Sequence, residues 1–196
     1  MQRAMQGVRR HTRYPYAVTG LAAAVLLTGA YLGILQWSGN FHEAIPSELY
    51  RSAQLHPGDL ARYQQQYGIR TVINLRGDNA GTPWYDHERE EAELLGVRFI
   101  NFRMKASREL GDGEALALIS AMRDAPKPLL IHCRAGADRT GLASALYFAA
   151  VADKGEAAAE QQLWLNYGHL PIPFLSTYAM NRTFERLEPM LGFKDS

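Results

Sequence analysis

The residues best equipped for chemistry fall in one run, His132-Cys133-Arg134-Ala135-Gly136-Ala137-Asp138-Arg139-Thr140-Gly141. It follows a short apolar stretch, Pro128 to His132, and precedes a small-residue apolar stretch from Thr140 to Ala152. It therefore joins a predicted strand to a predicted helix. Gly136, flanked by Ala135 and Ala137, lets the backbone curl with successive N–H groups pointing inward. Such a nest at a helix N-terminus holds a dianionic phosphate. The same field favours a thiolate at Cys133. Arg139 closes the loop, and its planar fork can grip two phosphoryl oxygens. The chemistry these types could do is attack of the thiolate on phosphorus, then hydrolysis of a phosphocysteine by water. Thr140 is placed to donate its hydroxyl to the thiolate, and His132 to brace the loop from behind.

The run resembles the His-Cys-x5-Arg-Ser/Thr signature of the protein tyrosine phosphatase superfamily, and its compact dual-specificity-type branch most of all. Tyr50-Arg51-Ser52-Ala53-Gln54 and Val72-Ile73-Asn74-Leu75-Arg76 are spaced as in small bacterial and fungal members, so the resemblance spans Ile45 to Leu187. It implies an α/β cysteine phosphatase fold with a central, mainly parallel sheet flanked by helices. It also implies a phosphomonoester hydrolase acting on phosphotyrosine or dual-specificity protein substrates, with no cofactor. Arg134, Ala135, Gly136 and Ala137 become the phosphate-binding residues. Arg103, Lys105, Arg108 and Arg134 are expected at the mouth, where they would suit a polyanion such as a phosphoinositide or other phospholipid headgroup. Ala137 stands where several lipid-active relatives carry Lys, which weighs against that alternative. An inactive phospho-binding module is the alternative of another class, and the intact Cys133 and Arg139 argue against it.

The leaving oxygen needs a proton, and two carboxylates compete to supply it. Asp112 lies between Phe102 and Glu114, where most of the superfamily carries its acid loop, but no Trp-Pro-Asp is present. Followed by Gly113 and Glu114, it also reads as a helix N-cap. Asp138 sits inside the loop, and relatives with Asp-Arg-Thr here are thought to use that Asp as the acid. A carboxylate beside a phosphate and a thiolate is pushed towards the protonated form an acid needs, so Asp138 is the favoured reading. Arg76, at a strand end, either reaches the site or pins its own loop. His87 and His169 read as surface or core histidines.

The elements that must position these residues alternate. An edge strand is predicted over Glu48–Ser52, a helix from Pro57 to Tyr67, a strand over Thr71–Leu75 and a helix over Trp84–Leu95. A strand over Val97–Phe102, a helix over Glu114–Arg123 and the strand into Cys133 follow, then helices over Thr140–Ala152, Glu156–Tyr167 and Phe174–Leu187. Such alternation gives right-handed βαβ units, and ligands bind at the carboxyl ends of their strands, where Cys133 falls.

The first forty residues differ in kind. Arg3, Arg9, Arg10 and Arg13 precede a stretch from Tyr14 to Phe41 without Asp, Glu, Lys or Arg. The division expected is a basic segment over 1–16, a transmembrane anchor over 17–37, a linker over 38–44 and the catalytic domain over 45–196. The arginines put the N-terminus in the cytoplasm and the domain on the non-cytoplasmic side of the inner membrane. A cleaved signal peptide ending near Thr28-Gly29-Ala30 is the competing reading, countered by the apolar run beyond it. Gly29 and Gly33 form a G-x-x-x-G that would suit a helix-mediated homodimer. The single cysteine rules out an internal disulfide, and no C-x-x-C or H-x-x-x-H spacing suggests a metal. A formal charge of +1 suggests no nucleic-acid partner.

Overall fold

The computed structural model describes residues 14–193. The basic segment with Arg3, Arg9, Arg10 and Arg13 lies outside the described residues, as do the last three residues of the catalytic domain. The chain opens with α1 (Tyr14–Trp37), then β1 (His42–Ile45), β2 (Leu49–Ser52), α2 (Asp59–Tyr67) and β3 (Thr71–Asn74). It continues with α3 (Pro83–Leu94), β4 (Arg98–Asn101), α4 (Asp112–Asp124), β5 (Leu129–His132) and α5 (Asp138–Ala150), and closes with α6 (Glu156–Glu160) and α7 (Ala179–Leu187).

Among the described residues the sheet has five strands in the order β1-β2-β5-β3-β4. All neighbours run parallel except β1, which is antiparallel to β2. The expected α/β architecture is thus present. Alternate residues of a strand face opposite ways, and the two cores follow that parity. Leu49, Ile73, Leu129, Ile131 and Cys133 face a core shared with α4, α5 and α7. Tyr50, Val72 and Leu130 face a second core with Leu60 and Tyr63 of α2 and Ala92 of α3. The small residues of α5 let it sink between sheet and helices, so that Thr140 through Ala149 are all buried.

Four expectations need correction. The stretch 38–44 is no loose linker. His42–Ile45 forms β1, and Asn40 is 1% exposed with its amide donating to the carbonyls of Ala135 and Tyr167, both at 2.9 Å. For the same reason β2 is not an edge strand, because β1 covers it. The predicted helix over Glu156–Tyr167 stops at Glu160 and continues as two 3-10 turns, Gln161–Leu163 and Leu165–Tyr167, broken by an extended Trp164. The last helix begins at Ala179, after a 3-10 turn over Ser176–Tyr178.

α1 is apolar all round and long enough to cross a bilayer: Tyr16–Trp37 has a mean hydropathy of 2.0. Most of it is bare, with Val18, Leu21, Leu26 and Leu27 each more than 60% exposed. Its last turns are not. Leu35 is buried, Tyr31 Oη donates to the Asn166 carbonyl at 2.9 Å, and Gln36 Nε2 donates to the Ala135 carbonyl at 3.0 Å.

Candidate active site

The catalytic run leaves β5 at His132 and enters α5 at Asp138. The fit at Gly136 is tight. Its φ is +70°, and a Cβ there would lie 2.7 Å from backbone atoms of Ser52 and Ala53. Only glycine combines that left-handed turn with so close a seat on the end of β2. The first turn of α5 then aims its free N–H groups at the loop.

Cys133 is 2% exposed at the floor of this loop. Arg139 returns alongside, with Nη1 donating to the Met104 carbonyl at 3.4 Å. Thr140 is fully buried in the first turn of α5, and its hydroxyl has no hydrogen-bond partner among the described residues. The predicted bond from Thr140 to sulfur is therefore not made in this state. Ala135 turns its carbonyl outward to Gln36 and Asn40, and Gly136 turns its own to Arg51. Outward carbonyls leave the inner rim of the loop to N–H donors.

His132 is fully buried and faces the other core. Its Nε2 lies 2.7 Å from Oε1 of Glu88, itself 3% exposed. Glu88 accepts from Gln54 through its other oxygen, and Gln54 accepts from Arg76 Nη1 at 2.6 Å. The Arg76 guanidinium stacks 3.5 Å from the centroid of Trp84. Burial lowers the pKa of Arg76, and the positive charges of Arg139 and Arg134 lower it further. Arg76 is thus pinned by Gln54 and Trp84, close enough to Arg134 and Arg139 to feel their charge. A cleft of about 370 Å³, lined by Gln54, His56, Trp84 and His87 among others, opens beside it.

The two acid candidates have separate fates. Asp138 Oδ1 lies 2.7 Å from Nδ1 of His169, whose Nε2 lies 2.7 Å from Oδ1 of Asn181 on α7. His169 is fully buried, a core histidine whose ring bridges Asp138 of the loop and Asn181 of α7. Asp112 is the first residue of α4 and not its cap. Gly111 occupies that position, with Glu114 reaching back to the Gly111 N–H at 2.9 Å. The Asp112 carboxylate is taken by Arg186 of α7. At the expected mouth, Arg108 pairs with Glu114 at 2.7 Å and Arg103 donates to the Asp78 carbonyl, so neither cation is uncommitted.

The model of the tyrosine phosphatase family matches residues 40–161, which include the whole loop and the strands that carry it. The chain belongs to the tyrosine phosphatase family. A search of curated proteins by sequence finds no significant match. Among solved structures, this phosphatase is similar to TpbA of P. aeruginosa, a cysteine-to-serine variant of which was solved with phosphotyrosine. The identity is 25%, the TM-score 0.58, and the match covers 79% of this chain and 91% of TpbA. The fold is shared with PTPMT1 at 12% identity, with a TM-score of 0.60 over 78% of this chain and 96% of that one. It is also shared with the core catalytic domain of the PP-IP phosphatase SIW14 from S. cerevisiae, at 14% identity, with a TM-score of 0.57 over 78% and 93%. A phosphatase of this family is a phosphoric monoester hydrolase.

Sequence reasoning missed four residues that bond to the loop or to its neighbours: Arg51, Gln54, Glu88 and His169. Arg51 and Gln54 stood in the Tyr-Arg-Ser-Ala-Gln run, so their presence was visible but not their roles. Glu88 and His169 carry no local signal, because each meets its partner only through the fold.

Proposed function

We propose that the protein hydrolyses phosphomonoesters through a phosphocysteine on Cys133, with phosphotyrosine-type protein substrates as the first reading. The observation that carries it is the loop: Cys133 and Arg139 on a glycine-seated turn at the N-terminus of α5. In the first step the sulfur lone pair attacks phosphorus, the phosphorus–oxygen ester bond breaks, and the leaving oxygen takes a proton from Asp138. In the second, water attacks phosphorus, the sulfur–phosphorus bond breaks, and Asp138 takes the proton from water. The 2.7 Å contact with His169 supports Asp138 over Asp112, because it holds the carboxylate at the loop. Loop N–H groups and Arg139 hold the equatorial oxygens throughout. The test is hydrolysis of p-nitrophenyl phosphate under reducing conditions, lost in Cys133→Ser and blocked by vanadate. No turnover by the reduced protein would favour a phospho-binding module instead.

One observation favours a second substrate reading, a phospholipid headgroup. The first residues of β1 pair with the last of β2, His42 opposite Arg51. α1 therefore meets the sheet at the edge where the loop sits, with Gln36 bonded to Ala135. With α1 as a membrane anchor, this short rigid join sets the loop within reach of phosphates in the same bilayer. Turnover of phosphoinositide vesicles against phosphotyrosyl peptides separates the two readings. The arginines on the N-terminal side of the same anchor support a domain on the non-cytoplasmic side. Labelling of Cys133 in intact cells by a membrane-impermeant thiol reagent supports that orientation, and protection until lysis refutes it.

A further inference from the structure

Arg51 is fully buried, and none of the ion pairs among the described residues includes it. A buried guanidinium without a carboxylate is costly and calls for a counter-charge. Its Nη1 donates to the carbonyl and the side-chain oxygen of Gln162, at 3.0 and 2.9 Å. Its Nη2 donates to the Gly136 carbonyl at 3.0 Å, and the guanidinium lies 3.7 Å from the Tyr167 ring centroid. Neutral oxygens and a π-face solvate the cation without neutralising it.

The sheet register shows what can. Arg51 pairs with Ile131 across a parallel ladder, and residues two apart on a strand share a face. Cys133 is thus on the Arg51 face, one strand across, about 4.8 Å, and two residues along, about 6.6 Å. Burial lowers the Arg51 pKa to about 10, against the opposing pull of Tyr167 and Cys133, and the group stays cationic at neutral pH.

We propose that Arg51 is the resident counter-charge of Cys133, a buried cation behind the phosphate loop that keeps the sulfur anionic between turnovers. It acts through Cys133 and the loop and is a positioning residue. The proposal rests on the reading of Cys133 as the nucleophile. The other charged groups around the loop are Arg76 after β3, and Arg134, Asp138 and Arg139 from the loop and α5. Arg134 is exposed, and the other three are partly so. His132 and Glu88 lie on the opposite face of the sheet. Arg51 alone of these cations is out of reach of salt.

The chain has one cysteine, so iodoacetamide uptake by the reduced full-length protein in detergent reports Cys133 alone. At about pH 6, Arg51→Met is expected to react roughly tenfold or more slowly than wild type, from one charge at this spacing in a partly polar medium. At about pH 9 the deficit should shrink, because higher pH favours the thiolate with or without a neighbouring cation. Arg51→Lys, which keeps the charge but not the fork, should stay within about threefold of wild type at both. Wild-type rates in Arg51→Met at pH 6, or an Arg51→Lys as slow as Arg51→Met, overturn the proposal. If Arg51→Met does not fold, wild type decides by salt. Its rate at pH 6 should change less than about twofold up to roughly 1 M salt, because a buried charge is not screened. A fall of fivefold or more would assign the field to the exposed arginines and overturn the proposal. Failure of the nucleophile reading shows separately, as p-nitrophenyl phosphate hydrolysis that survives Cys133→Ser.

Discussion

Replacing His169 by leucine tests the acid assignment without touching the loop. The imidazole stands between two oxygens, Asp138 Oδ1 and Asn181 Oδ1, each at 2.7 Å. Leucine fills most of the buried volume and removes both bonds. A hydrogen bond to a charged group contributes about 1.5–3 kcal/mol. At about 1.4 kcal/mol per tenfold, its loss should release Asp138 from its working position by a factor of roughly 10 to 150. That factor should appear in kcat/KM for an alkyl phosphate, which reports the first step, where the leaving oxygen must be protonated. It should be nearly absent from kcat/KM for p-nitrophenyl phosphate, whose phenolate departs unaided. Asp138→Asn alone should cost the alkyl substrate about 10² to 10⁴, the usual worth of a positioned acid. The double variant should be no worse than Asp138→Asn, because both changes disable one device. Equal losses on the two substrates, or additive losses in the double variant, would refute the reasoning.

Gly136→Ala places a methyl 2.7 Å from the Ser52 and Ala53 backbone in a left-handed turn, so the loop must move. A displacement near 1 Å should cost about 10²-fold in kcat, read together with weaker vanadate inhibition. Asp112→Asn breaks a surface pair with Arg186, and should change alkyl phosphate turnover by less than about threefold and stability by about 1 kcal/mol or less. A large loss in kcat there would return the acid to Asp112. Burial, aided by the charge of Arg51, lowers the His42 pKa from its ordinary 6.5. The unfolded chain therefore binds that proton more readily, and His42 subtracts stability as pH falls through about 6.5 until the folded protein also protonates. Urea melts at pH 7.5 and 5.5 should show a smaller acid loss in His42→Gln than in wild type.

Most of the scaffold was legible because its signals are local. Thr71-Val72-Ile73-Asn74 is β-branched and apolar, Gly68 closes α2 in a left-handed turn, and the strand before Cys133 is short and buried. β1 was not legible. His42-Glu43-Ala44-Ile45 has neither alternation nor β-branched density, and it becomes a strand only because β2 offers it an edge. Gly39 and Asn40 carry positive φ and read as linker residues, yet the Asn40 side chain fastens that turn to the loop. The site divides in the same way. Cys133, Asp138 and Arg139 occupy one continuous run. His169 reaches Asp138 from 31 residues away, and Arg51 reaches Gly136 across 85, so only the fold reveals them.

The bonds from Gln36 and Asn40 to the Ala135 carbonyl have a mechanical consequence. A helix in a bilayer tilts to match the thickness of the hydrocarbon around it. Here the end of α1 and the turn after it are fastened to the loop between β5 and α5, with no slack between them. With α1 in a bilayer, as proposed, its tilt would be delivered to Ala135 as a small torque. Acyl-chain length and membrane tension would then be inputs to turnover, alongside the identity of the phosphate ester.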